Sequence, residues 1–423
     1  MKKTVKFFIF VFVFTFFAFG CTPTDSETPR ENNVNAADYG LSPENSGEEN
    51  SKILQALIDV LSEKGGTVYI PSGEYEFARN GTQLLGSHCI KMKSNVHIIG
   101  NGEDTVLKPT GDSYAGLDMF YFNEYLDSGD AIYLENCKFE NFVIDGSQTS
   151  CRIYTSAGKG FMFNLFRNCH WKNVTVKNTD ATGFGMDCPI ESSITDCTAI
   201  GCGKGATAES TGASGFGIGF GYCEEEGIRI VGCTAENNKK FGFFFEHQGL
   251  FSDERYGADC VEGLLVQDCV ASANLYNYGG LMGRNAVYDS CLSSDAIRFG
   301  FYFENCAETE VLGCVSKNDG NAGFAVCQTE KGEKEKSADL LLSECRSENN
   351  EYGVKIIGAD PSLAQTLEID ILRCIFTNVS YPVYTEGALR KLCLRGNVSD
   401  GEIPCFSVKP EIFTDEENSW NES

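Results

Sequence analysis

Phe299 to Asn318 reads FGFYFENCAETEVLGCVSKN: a short apolar strand, a turn, a second short strand ending at Cys314, and an asparagine four residues later. Most of the chain after about residue 130 consists of loose copies of this unit. One column is a cysteine with an apolar residue three positions before it: Cys137, Cys169, Cys197, Cys233, Cys269, Cys291, Cys314, Cys345 and Cys374. Asparagine follows four residues after six of them, at Asn141, Asn173, Asn237, Asn318, Asn349 and Asn378. A third column is glycine leading an apolar strand, at Gly160, Gly183, Gly215, Gly242, Gly280, Gly300, Gly323 and Gly353. Units this small cannot bury their apolar faces alone, so the three interleaved columns predict a stacked array.

The intervals between the glycines are 23, 32, 27, 38, 20, 23 and 30 residues. A floor near 20 with variable excess suits a β-coil whose turns take insertions. Such a unit is too short for two helices and a turn, and its β-branched and aromatic strands argue against a helical solenoid. Successive coils would lie about 4.8 Å apart. Stacked asparagines would satisfy one another and tolerate the left-handed turn conformation. Stacked cysteines would fill a tight interior corner as small apolar groups.

The chain opens with Lys2, Lys3 and Lys6, an apolar run of about 13 residues, and Gly20-Cys21. The run is short for a membrane span, and the layout predicts an export signal. The ending Ala18-Phe19-Gly20-Cys21 resembles a lipoprotein signal, which implies lipidation of Cys21 and anchoring to the cell envelope. Thr22 to Asn35 lacks apolar periodicity and reads as a flexible tether. The formal charge is −26. Removing residues 1–20 takes away three lysines and no acid, which lowers it to −29. A chain this acidic is a poor partner for nucleic acid or anionic lipid, so membrane contact is expected through the lipid anchor only. Twenty cysteines in an exported chain normally suggest disulfides. Here nine of them fall at one repeat position, which favours mostly free, buried thiols. The four histidines are scattered, there is no CxxC, and no metal site is expected from cysteine or histidine.

Asn50 to Leu61 places Ile53, Leu54, Leu57, Ile58 and Leu61 on one helical face, with Asn50 or Ser51 as N-cap. Such a helix would cover the open first coil of a solenoid. Ala37-Asp38-Tyr39-Gly40, this helix, and the run from Gly65-Gly66-Thr67-Val68-Tyr69 to Gly73-Glu74-Tyr75 resemble the N-terminal signature of the pectate-lyase-like right-handed parallel β-helix superfamily. The resemblance spans roughly residues 36–400 and implies an all-β fold: a single right-handed parallel β-helix of about ten coils with an N-terminal α-helical cap. The organisation expected is a signal over 1–20, a tether over 21–35, a cap over 36–66, the β-helix over 67–405 and a tail over 406–423. The superfamily hosts lyases, glycoside hydrolases, epimerases and phage tailspikes, so the fold does not select the chemistry.

Alternate residues after each repeat glycine face outward. The position four after glycine gives a row with Asp187, Glu246, Arg284 and Glu304 as candidate catalytic residues. The position two after glycine adds Phe244 and Tyr302, which with His247 are candidate sugar contacts. In the resemblance, this strand lines the substrate groove. Asp187 to Glu246 and Glu246 to Glu304 each span two rungs, about 9.6 Å. Paired carboxylates at such spacing suit glycosidic-bond hydrolysis, with room for a water between them. A lyase would use carboxylates to bind Ca²⁺ and a base such as Arg284 to remove the proton α to a carboxylate. Outward acids on a solenoid are otherwise simply solvated or paired. Asn178-Thr179-Asp180 echoes the polygalacturonase family, but the paired aspartates and Gly-His-Gly of that family are missing. Loops Gly203–Ser214 and Gln248–Glu262 are placed to wall the row. The expectation is a surface-anchored protein that acts on polysaccharide or oligosaccharide, as a hydrolase ahead of a Ca²⁺-dependent lyase. The alternative is a non-catalytic glycan-binding or adhesion solenoid.

Overall fold

In the computed structural model, residues 32–130, 132–207, 209–220, 227–247, 263–329, 338–358, 367–387, 389–401 and 403–420 are described. The signal sequence, Cys21, and the whole loop expected over Gln248–Glu262 lie outside them.

Parallel strands, most of them glycine-led, stack to form one long wall, running through Phe161–Arg167, Phe184–Ile190, Phe216–Phe220, Phe241–His247, Tyr276–Leu281, Phe299–Glu304, Ala322–Cys327, Tyr352–Ile357 and Tyr381–Glu386. Two further strands per coil, such as Leu264–Gln267 and Val270–Ser272, pair with their counterparts above and below and close the coil. The chain is therefore a parallel β-helix.

Inward residues hold the stack together. Phe161, Phe184, Phe216, Phe243, Tyr278, Phe301 and Phe324 form an interior ladder, one ring per rung, with centroids 4.5 to 5.4 Å apart. Each ring is buried and stacked on its neighbour, so the ladder gains both area and offset-stacking geometry. The cysteine column lies inside as expected. The nine cysteines of the column are free thiols, and the Cys197, Cys233 and Cys291 amides each donate to the sulfur of the next rung at 3.4 Å. The exposed asparagines take left-handed φ between 51° and 60°. Asn173 donates to Asn141, Asn349 to Asn318, and Asn378 to Asn349, at 2.8 to 2.9 Å.

The cap differs in detail from expectation. The helix spans Gly47–Leu61 with Ser46 as its N-cap, accepting from the Glu49 amide at 3.3 Å. Asn50 and Ser51 are instead buried inside the helix, where their side chains bond the backbone at Ser42, Glu76 and Ala78. Residues 32–35, expected in the tether, form a strand paired with Gly66–Tyr69. At the other end, Ile412–Glu416 and Ser419–Trp420 pair as rungs within the expected tail.

Candidate functional site

The outward row is set by strand register. Asn164 pairs with Asp187, Asp187 with Gly219, Gly219 with Glu246, Glu246 with Leu281, and Leu281 with Glu304. Asp187, Glu246 and Glu304 therefore share one wall at the predicted two-rung spacing. Arg284 does not. It opens the strand Arg284–Asp289 in the other sheet, paired with Ala307, and Leu281 holds its expected place. The cause is a three-residue slip. Asn277 occupies the slot that glycine holds in other coils, with its amide bonded to Ser293 Oγ and the Ser294 carbonyl at 2.8 and 2.9 Å. Gly280 thus lies three residues further along the strand. His247 ends the Glu246 strand, beside Phe220 of the preceding rung.

Asp187 and Glu246 form part of a groove of about 460 Å³, with Lys159, Asn164, Ser214 and Phe244 beside them. Its rim carries Leu84, Leu85, Tyr125 and Thr211. The rim is tied down by backbone acceptors: Thr155 Oγ1 donates to the Leu85 and Ala115 carbonyls at 2.6 Å, and Tyr154 Oη donates to the Thr211 carbonyl at 2.7 Å. Thr211 and Ser214 belong to the loop expected over Gly203–Ser214, so that loop does wall the row.

Burial raises the Asp187 pKa above its ordinary value, opposed by the positive charge of Lys159 and a hydrogen bond from the Gly219 amide. The backbone holds Lys159 in place. The amides of Gly158 and Lys159 donate to Oδ1 of the fully buried Asp118 at 2.7 and 2.6 Å, and Gln83 donates to its other oxygen. Burial raises the Asp118 pKa too, and these hydrogen bonds and Lys159 hold it back. Gly185 makes room for the lysine stem, since a Cβ there would meet Lys159 Cδ at 2.5 Å. Burial lowers the Lys240 pKa, with Glu246 and Glu209 opposing the shift. Two buried polar atoms at the groove have no hydrogen-bond partner among the described residues: Asn164 Oδ1 and Ser214 Oγ. A buried acceptor and hydroxyl left open in a concave site suit a ligand rich in hydroxyl groups.

Glu304 is on the wall but outside this groove. Its carboxylate accepts from Tyr302 Oη at 2.8 Å and Thr329 Oγ1 at 3.0 Å. Asp180 is buried against Lys204 at 3.6 Å and is not on the wall. Among the described residues no group of three or more His, Cys, Asp or Glu side chains is placed to hold a metal ion.

Residues 33–224 match the family described as rhamnogalacturonase A/epimerase, pectate lyase-like. The A-module of the mannuronan C-5 epimerase AlgE4 of Azotobacter vinelandii superposes with a TM-score of 0.55 at 17% identity, covering 90% of this chain and 99% of that one. The fold is a right-handed parallel β-helix, and residues 33–224 carry the pectate-lyase-like match. Other β-helices of this kind superpose as well. The tailspike of E. coli bacteriophage HK620, solved with a pentasaccharide, gives a TM-score of 0.60 at 13% identity over 87% of this chain and 67% of that one. The catalytic domain of a GH87 α-1,3-glucanase, solved with nigerose, gives 0.58 at 13% identity over 95% and 71%. In sequence, mannuronan C5-epimerase AlgE2 of Azotobacter vinelandii is 36% identical over 75 residues, which is 18% of this chain and 7% of that protein. The match to this β-helix thus spans less than a tenth of that curated relative's length. The family match includes Lys159, Asn164 and Asp187 and ends before Glu246.

Proposed function

We propose that this β-helix acts on polysaccharide in the Asp187–Glu246 groove and cleaves glycosidic bonds by hydrolysis. The observation that carries the reading is the pairing itself: two carboxylates two rungs apart on one rigid wall, in a groove with open hydrogen-bonding atoms. Burial favours the protonated form of Asp187, which suits a proton donor to the leaving oxygen. Glu246 then takes a proton from the water that attacks the anomeric carbon from the opposite side. A backbone spacing of about 9.6 Å leaves room for that water and predicts inversion of configuration. Phe244, on the rung of Glu246, offers an apolar face to a sugar ring. The sugar-acting relatives and structural neighbours support the substrate class.

The test is incubation of the purified protein with a panel of neutral and acidic polysaccharides, following reducing ends. Release that disappears in Asp187→Asn and in Glu246→Gln supports hydrolysis. Binding without turnover across a broad panel supports the non-catalytic glycan-binding reading instead.

A second reading is favoured by one juxtaposition, Lys159 against Asp187, together with the partial similarity to mannuronan C5-epimerases. There Lys159 pairs with the carboxylate of a uronate and Asp187 removes the neighbouring C5 proton; the C4–O bond then breaks to give an unsaturated end, or a proton derived from solvent returns to the opposite face of C5 to give the epimer. Deuterium from solvent at C5, or an unsaturated product, identifies this chemistry. Ca²⁺-dependent unsaturated product is the signature of the lyase form. We also propose export with lipidation at Cys21. Fractionation tests this: the protein should partition with membranes, and Cys21→Ser should release it.

A further inference from the structure

The wall changes character along its length. Around Asp187 it is polar. Beyond Phe244 it becomes aromatic. Phe244 stacks on Phe241 with centroids 4.3 Å apart, and Phe241 stacks on Tyr276 of the next rung at 4.8 Å. Tyr276 meets Tyr302 at 5.4 Å, and Tyr302 stacks on Phe299 at 5.6 Å. One rung further, the corresponding positions hold only Ala322 and Ala325. A second cluster follows. Tyr352 stacks on Tyr381 at 5.4 Å and meets Tyr384 at 5.0 Å, with Lys355 Nζ 4.6 Å from the centre of the Tyr352 ring.

These rings occupy two adjacent columns of one face. Phe241, Tyr276, Phe299, Tyr352 and Tyr381 are in the first, and Phe244, Tyr302 and Tyr384 are in the second. The interior rings form a separate ladder on the opposite face of the same strands, so core packing does not account for the outer ones. All but Phe241 remain half-buried. From the Phe244 strand to the Tyr384 strand is five rungs, about 24 Å. A pyranose unit advances a polymer by a distance similar to one rung. Its C–H faces lie well on aromatic rings, while its hydroxyls stay in water.

We propose that this outer aromatic track is an extended binding path for a polysaccharide chain, continuing from the Asp187–Glu246 groove and ending in a remote site at Tyr352, Tyr381, Tyr384 and Lys355. The occupant is a polymer of several sugar units whose reacting unit is in the groove. The inference rests on the proposed polysaccharide substrate, but not on which bond is broken. It makes the protein length-selective: long chains reach the remote site and short oligosaccharides do not. At the remote site, Lys355 adds a cation beside the rings that an acidic sugar would also engage.

The experiment compares wild type with a Tyr352→Ala/Tyr381→Ala/Tyr384→Ala variant and with Asp187→Asn. Affinity electrophoresis in polysaccharide-containing gels reads binding, and turnover of long and short chains of the same polymer reads KM and kcat. Circular dichroism and thermal unfolding show that the variant is folded, and Tyr384→Phe retains the ring as a second control. The expected result is roughly a tenfold or greater loss of polymer binding in the triple variant, carried in KM. Short-chain kinetics of the triple variant should match wild type, Tyr384→Phe should keep more polymer binding than the triple variant, and Asp187→Asn should lose turnover while still binding polymer through the track. Equal polymer affinity in folded triple variant and wild type overturns the track, even if cleavage is confirmed. Absence of turnover on every polymer, with binding that still depends on the tyrosines, overturns the cleavage reading and leaves the track standing.

Discussion

Asp319 gives a prediction whose size can be worked from the structure. It is buried inside the coil, where it accepts hydrogen bonds from the Ala296 amide at 2.8 Å and Ser293 Oγ at 2.9 Å. Ser316 Oγ is its third donor. Burial nevertheless raises its pKa from 3.8 to about 6. An acid with a raised folded-state pKa disfavours the folded state once it is ionised. Below pH 3.8 both states hold the proton and there is no penalty. Between 3.8 and about 6 the unfolded chain releases its proton first, so stability falls as pH rises. Above 6 the penalty is complete. At about 1.4 kcal/mol per pH unit, that gap amounts to roughly 3 kcal/mol. Asp319 is a member of an interior polar ladder that elsewhere uses asparagine: Asn238, Asn274 and Asn350 are in equivalent turns and bond one another or serine hydroxyls. An amide at 319 fits the same partners without charge. Asp319→Asn should therefore stabilise the protein at pH 7 by up to about 3 kcal/mol and leave it unchanged near pH 3.5. Urea unfolding of both proteins across this range measures the difference. A variant less stable than wild type at pH 7, or a difference independent of pH, would refute the argument.

Asp187→Asn and Glu246→Gln should each lower kcat by roughly 10²- to 10⁴-fold with little change in KM, as steady-state kinetics would show. Lys159→Met removes the charge that opposes the raised Asp187 pKa, so the alkaline limb of the kcat/KM–pH profile should move to higher pH. A shift to lower pH would contradict Asp187 as the proton donor. Trp171→Ala empties a fully buried site packed by Phe139, Phe161 and Phe166, and should cost about 3–5 kcal/mol in urea unfolding.

The coil was legible in the sequence because each column has one steric job. Glycine and the ring after it fill the interior, cysteine fills a corner, and asparagine takes the left-handed turn. Register was legible wherever glycine marked it. It failed at Arg284, where Asn277 does the work of glycine by bonding the next coil, and Gly279-Gly280 drew the frame three residues along. The interior polar ladder was missed, although the doublets Asn237-Asn238, Asn318-Asp319 and Asn349-Asn350 carry its signal: the first residue faces out and the second faces in. Lys159 and Asp118 were not recognised because they join the site through a turn and two neighbouring rungs. No local pattern encodes that contact. The Ser46 cap was missed because Asn50 and Ser51, good caps by type, are used instead to bond the first coil.

The central claim is that sugar is bound and processed on the wall shared by Asp187 and Glu246. A crystal structure of Asp187→Asn with an oligosaccharide that the wild type turns over tests it most directly. The account predicts one sugar unit between residues 187 and 246, over Phe244, with its neighbours running toward Tyr276 and Tyr302. A sugar seated instead in the cavity on the other sheet, where His170 of strand His170–Lys177 and Arg229 of strand Ile228–Val231 line the wall, would contradict it.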